Sequence, residues 1–434
     1  MPTPLNFLAL ANDRANRHTA TKSSDIKWVF GVLVIILSLR IVGYFTLFTD
    51  SVAMTQMVKI GIRTTTTGSM VFMLFWLRNI SPSLTFAYRY ITTVALYSGY
   101  LLLGLISLLW SCDVFFSALQ LVMVTESFIF SIIFYHIVLL YDNYNIPVGS
   151  QALFSLPYIM ARAVTLVCSG FIIAQFIDPD TLYRATHAGE VLRLGGFIIN
   201  PNELGMLAAV GVAALGYELL KRDIKLFPLF GIILNLAVLL LTQSRSTLGG
   251  LGIIILLYIL QSKYRILQMA VVVGGACAMP VILNTIIFKQ GDVEEVMSMT
   301  GRLPFWQDLI RDGFTREPWL GFGFMRLDYT EYFDSIHAYS ASMTHNTFLQ
   351  VLLNLGIVGM IIVLLQVLTF FRAFALSTNT TLQLFAFGIF VPIFINSLTE
   401  FGIFGESNYG IMFYQLLCLM FVVFAERRVP KRLH

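Results

Sequence analysis

Four side chains of this sequence stand where chemistry at a membrane surface needs them: Arg193, Arg245, Arg302 and His345. His345 belongs to Thr344-His345-Asn346, which closes the polar stretch 289–346 and directly precedes the apolar run 347–371. Crossing a bilayer takes about 20 helical residues, so a run of that length sets the imidazole at the membrane surface. Histidine is the side chain suited to taking a proton near neutral pH. Arg193 lies just ahead of a well-signalled helix start, where Asn200 caps, Pro201 suits the first turn, Asn202 follows and Glu203 completes a capping-box-like arrangement. A guanidinium beside a helix N-terminus adds to the positive end of the helix dipole and suits an anion. Arg245 sits in the Ser244-Arg245-Ser246 turn between two apolar runs, and Arg302 follows Thr300-Gly301 at the head of a short amphipathic stretch.

Each of these residues also has a plain reading. The Asn200 to Glu203 signal is sufficient as a helix start. Arg245, taken alone, reads as a side chain snorkelling to lipid phosphates. His345 reads as the neighbour of a helix cap, because Thr344, Asn346 and Thr347 are all cap residues. Together, however, the arginines and the histidine are expected on one face of the membrane, which the plain readings leave unexplained.

That face follows from the composition. Of 434 residues, 57% are hydrophobic and 12% are charged, against roughly 25% charged in soluble domains, so the chain reads as an all-α integral membrane protein. Twelve apolar runs of about spanning length occur at 28–48, 60–77, 90–109, 114–140, 156–177, 201–220, 224–241, 247–260, 266–288, 347–371, 382–398 and 409–425. The expected organisation is a cytoplasmic tail at 1–27, nine spans in 28–288, an outer loop at 289–346, three spans in 347–425 and a second tail at 426–434. Lysine and arginine gather in both tails, at Arg78 and Arg89, around 221–225, at Lys263 and Arg265, and at Arg372, which an even span count places together in the cytoplasm. Residues 178–200, the 244–246 turn and the 289–346 loop then share the opposite face. The formal charge of +4 comes in short clusters and leaves nucleic acid without a binding surface. Cys112, Cys168, Cys277 and Cys418 have neither metal-site nor redox-pair spacing, and no carboxylate or His/Cys cluster suggests a metal or cofactor.

Within the loop, Leu303, Trp306, Leu309 and Ile310 have the spacing of an amphipathic helix, with Pro304 at its start and Gly313 at its end. A second stretch aligns Tyr329, Tyr332, Phe333, Ile336 and Tyr339 on one face, read first as an interfacial aromatic belt and second as a sugar-stacking surface.

RLGGFIINPNELG, LTQSRSTLGG, TGRLPFW, EPWLGFGF, THNTFLQVLLNLGIVG and NSLTE, in this order from residue 193 to residue 400, resemble the O-antigen ligase and Wzy O-antigen polymerase superfamily. The resemblance implies a GT-C-like fold and a metal-independent, inverting glycosyltransferase in the bacterial inner membrane. Such an enzyme takes a glycan from undecaprenyl diphosphate at the periplasmic face and passes it to a sugar hydroxyl. It further implies that Arg193, Arg245 and Arg302 bind the diphosphate, that His345 is the base, and that Asn346, Asn200, Asn202 and Glu203 support them, the ring being fixed by Asn346 or a loop carboxylate. A ligase acceptor is the lipid A core; a polymerase acceptor is a second carrier-linked repeat unit, and the same diphosphate site and base serve both. Two other classes compete. A secondary transporter would use Arg40, Glu126 and Arg162 inside the spans, although no paired inverted repeat is visible. A membrane scaffold would leave the outer arginines without a purpose.

Overall fold

The computed structural model describes residues 27–45, 52–80, 85–88, 91–145, 155–186, 191–221, 226–261, 265–282, 302–324, 344–377, 380–400, 402–405 and 407–426. The tails at 1–26 and 427–434, loop residues 289–301, the aromatic stretch at 329–339, His187 and His337 lie outside the described residues.

In its described part, each of the twelve apolar runs falls mainly on a helix. They are α1 (Lys27–Val42), α2 (Val52–Ile80), α3 (Thr92–Ile106), α4 (Val114–Asn145), α5 (Leu156–Ala174), α6 (Pro201–Lys221), α7 (Leu226–Thr242), α8 (Arg245–Gln261), α9 (Arg265–Ile282), α11 (Thr347–Leu376), α12 (Thr380–Thr399) and α13 (Tyr409–Val422), with the short α10 (Arg302–Asp308) between α9 and α11. By length and composition, α3, α4, α5, α6, α11 and α12 are each sufficient to cross a membrane, and α7, α8, α9 and α13 contain shorter apolar helices. The chain is thus a helical, multi-pass membrane protein. Two short antiparallel ladders interrupt the helices: β1 (Thr85–Tyr88) pairs with β4 (Val423–Glu426), and β2 (Tyr183–Thr186) pairs with β3 (Val191–Leu194).

Helix α6 is the centre of the array and packs against α5, α7, α8 and α12. Residues 204–215 are buried without a break, as expected of a helix that is apolar all round. Small side chains permit the close approach. A Cβ on Gly211 would stand 2.4 Å from Asn235 Oδ1 of α7, and that Asn235 donates to Gly231 O (2.7 Å) and Thr165 Oγ1 (3.1 Å). The lower ends of α6, α8 and α11, with the start of α12, bound a cavity of about 470 Å³ lined by residues including Lys221, Gln261, Phe374 and Thr380. The opposite ends of the same helices carry Asn202, Arg245 and His345.

Helix α11 is broken. Gly356 adopts φ +62° inside it, a conformation that needs glycine, and the break frees backbone groups that a membrane helix must satisfy. Residues 318–323, in the loop ahead of α11, supply the partners: Phe322 N donates to Leu353 O (2.9 Å), Gly323 N to Asn354 O (2.8 Å), Ile357 N to Pro318 O (2.9 Å) and Val358 N to Trp319 O (3.2 Å). A Cβ on Gly356 would lie 2.2 Å from Trp319 O. The PWLGFG and NLGIVG segments are therefore one interlock, and it fastens the loop to the helix that His345 precedes.

The intramembrane charges pair with one another. Arg40 of α1 donates to both Glu126 oxygens of α4 (2.7 and 2.6 Å), Arg63 of α2 donates to Glu126 Oε2 (2.9 Å), and Arg162 of α5 donates to Glu218 of α6 (2.9 Å).

Candidate active site

Glu400 follows the last residue of α12 and is buried. Its Oε2 lies 2.6 Å from His345 Nδ1, and its Oε1 accepts from Arg302 Nη2 (2.8 Å) and Asn202 Nδ2 (2.9 Å). Arg302 Nη1 also donates to Thr399 O. Burial alone would push the carboxyl upward. A protonated His345, through its charge and hydrogen bond, outweighs it together with Arg302 and Asn202 and holds Glu400 down to about 2. Glu400 is thus an ionised acceptor and the ring donates to it from Nδ1; in the neutral ring Nε2 is the nitrogen that can take a proton.

The local sequence fixes this ring. His345 has φ +50°, an unfavourable region for a side-chain-bearing residue that costs of order 1–3 kcal/mol and persists only when its surroundings hold it. On one side, Thr344 Oγ1 accepts from Asn346 N (3.1 Å) and Thr344 O accepts from Trp306 Nε1 (2.7 Å). On the other, Asn346 caps α11, its Oδ1 accepting from Phe348 N and Leu349 N (both 3.0 Å). Asn346 is therefore the cap and Glu400 is the partner of the ring. Phe305 and Leu309, from α10 and the turn after it, pack with Leu349 and Leu353 of α11, which brings Arg302 beside the histidine.

The remaining positive charge arrives from the hairpin and two helix starts. Arg193 on β3 donates through Nη2 to Asn202 Oδ1 (2.6 Å) and through Nε to Thr242 O (2.9 Å), so one relay joins Arg193, Asn202 and Glu400. Burial lowers Arg193 to about 10, with Glu400 opposing and Arg302, Arg245 and Arg184 adding repulsion; it stays cationic at neutral pH. Arg245 is the first residue of α8 and half-buried. Asn200 Oδ1 accepts from Asn202 N (2.9 Å) ahead of α6, and Glu203 lies in the first turn of that helix. The starts of α6 and α8 touch, since a Cβ on Gly205 would meet Thr247 Oγ1 at 2.6 Å. The N-termini of α6, α8 and α11 are thereby gathered around the arginines, a setting that favours an anion. Arg302 Nε is buried and lacks a partner among the described residues, a donor that a ligand oxygen would satisfy.

The structure brings Arg193, Arg245, Arg302, Asn202 and His345 together, while Asn200 and Asn346 serve the helix starts. Two pairings carry no local signal in the sequence, although Glu400 closes the NSLTE segment. Glu400 is 55 positions from His345, and Arg184 faces Arg193 only through the hairpin register. Among the described residues, no group of three or more His, Cys, Asp or Glu side chains is placed to hold a metal ion.

Residues 230–364 match a family model described as Wzy_C, O-antigen ligase. The match contains Arg245, Arg302 and His345; Arg193 and Glu400 flank it. No curated protein matches the chain.

Proposed function

We propose that this chain, whose residues 230–364 match the O-antigen ligase (Wzy_C) family, is an inverting glycosyltransferase. It moves a glycan from undecaprenyl diphosphate to a hydroxyl of the lipid A core at the periplasmic face of the inner membrane. The observation that carries this reading is the hub at Glu400, which ties His345 to Arg302 and, through Asn202, to Arg193. A base and an anion site are thereby held in one frame.

His345 Nε2 accepts the proton of the acceptor hydroxyl while Glu400 steadies the imidazolium that forms. The hydroxyl oxygen attacks the anomeric carbon from the side opposite the diphosphate. The bond from that carbon to the phosphate oxygen breaks, and its electron pair leaves on the diphosphate. Negative charge grows there as the guanidiniums of Arg193, Arg245 and Arg302 and the helix N-termini stand ready to stabilise it. Arg193 commits Nε and Nη2 to the protein, which leaves Nη1 as the edge that can meet a phosphate oxygen. These arginines supply the charge that a divalent cation provides in metal-dependent enzymes.

Purified protein in vesicles, given polyprenyl-diphosphate-linked glycan and acceptor, tests the proposal. Transfer should survive EDTA, and Arg245→Lys should be nearly as damaging as Arg245→Ala, because an ammonium cannot form the planar two-pronged contact. A fully active Arg245→Lys enzyme, or activity restored only by magnesium or manganese, would refute the arginine-based site.

A further inference from the structure

We propose that Arg184 is an outer phosphate contact that captures the carrier diphosphate at the mouth of the site before it reaches the inner contact at Arg193. This rests on the glycosyl-transfer reading above. The ladder places Arg184 directly opposite Arg193, and opposed residues of an antiparallel pair project from the same face. Their settings differ: Arg193 is half-buried and tied to Asn202 and Thr242, whereas Arg184 is exposed.

Like charges directly opposed weaken a strand pair, and here the repulsion reaches Arg193. Glu400 offsets it at Arg193, but no carboxylate among the described residues does so at Arg184. Glu400 is already engaged by His345, Arg302 and Asn202, Asp178 caps the turn before β2 by accepting from Thr181 N (3.2 Å), and among the described residues no carboxylate pairs with Arg184. The hairpin therefore gives up stability to hold two cations side by side, and a dianionic group of two linked phosphates is the ligand that relieves both. The exposed guanidinium steers and captures, because field lines from the mouth reach solvent first. The buried one, joined to Glu400 through Asn202, acts when the bond breaks.

Kinetics and stability together test this role. Arg184→Gln should raise KM for the carrier-linked donor about tenfold, the loss of one charge-assisted contact. It should leave kcat within about twofold and flatten the dependence of kcat/KM on salt. The same variant should unfold at a higher temperature than the wild type, and inorganic pyrophosphate should raise the melting midpoint of the wild type more than that of the variant. Arg184→Lys should restore most of the KM, since steering needs charge rather than a fork. An unchanged KM and salt dependence would overturn the inference, as would a fall in kcat with a lower midpoint, the mark of a merely structural residue. Arg193→Gln assayed in parallel separates the two levels. If it transfers glycan normally, the site reading itself fails; if it is inactive while Arg184→Gln matches wild type, only the outer contact fails.

Discussion

Glu126 and Glu400 are both gripped by arginines, and the two clusters are built to different ends. Glu126 receives five donors from Arg40, Arg63 and Thr67, and both guanidiniums lie over aromatic rings, Arg40 on Phe130 at 4.5 Å and Arg63 on Tyr44 at 4.7 Å. The cluster sits within α1, α2 and α4, and among the described residues no histidine pairs with it. Such an arrangement clamps three helices and leaves its carboxylate saturated. Glu400 lies past a helix end, gives one oxygen to a histidine, and is surrounded by more cations than it neutralises. Burial, pairing and excess positive charge alone do not mark chemistry, since Arg40 and Arg63 also outnumber Glu126; a base set among helix starts does. The same contrast accounts for the charges that suggested a transport path, because Arg40 pairs with Glu126 and Arg162 with Glu218.

Glutamine in place of each glutamate should break the comparison most visibly. Glu400→Gln keeps the shape but removes the charge that steadies the imidazolium, so single-turnover transfer should fall about 100-fold with donor binding retained. Glu126→Gln strands two buried guanidiniums, a loss of roughly 3–5 kcal/mol for one partner of a buried pair. Its melting midpoint should fall sharply while turnover per folded molecule stays near normal. The reverse pattern would mean that the roles are exchanged.

A smaller effect is expected at the interlock that fastens the loop to α11. Gly356→Ala places a Cβ against Trp319 O and strains a positive φ, costing at least about 1–3 kcal/mol, which thermal unfolding should register along with slower transfer. Trp306→Phe removes one hydrogen bond to Thr344 O, about 1 kcal/mol, and should slow transfer only a few-fold by loosening His345.

Acid sensitivity sharpens the contrast further. Glu400 is held at about 2 against an ordinary 4.5. Its stabilising contribution is therefore complete above about 4.5 and is lost as the pH falls from there through 2. The gap in melting midpoint between wild type and Glu400→Gln should close over that window.

The helices were legible because each apolar run is long and continuous, and hydrophobicity alone sets their positions to within several residues. That Arg193, Arg245, Arg302 and His345 would lie near one another was legible from the motifs that carry them. Glu400 stood in the NSLTE segment, but its pairing with His345 was not legible, since contacts across 55 positions leave no local pattern. Nor was the break at Gly356, because LNLGIVG reads as uninterrupted apolar helix until the loop that satisfies its backbone is in place. Arg184 escaped notice for a similar reason: strands of four residues carry too little alternation to reveal their register.

The central claim is that His345 and Glu400 act as one unit on the acceptor proton. A double-mutant cycle of His345→Ala and Glu400→Gln, read as single-turnover transfer with donor binding measured separately, tests it most directly. The account predicts that His345→Ala lowers the rate about 100-fold or more with binding intact, and that adding Glu400→Gln lowers it no further. Multiplying losses, or near-normal turnover in His345→Ala, would contradict it.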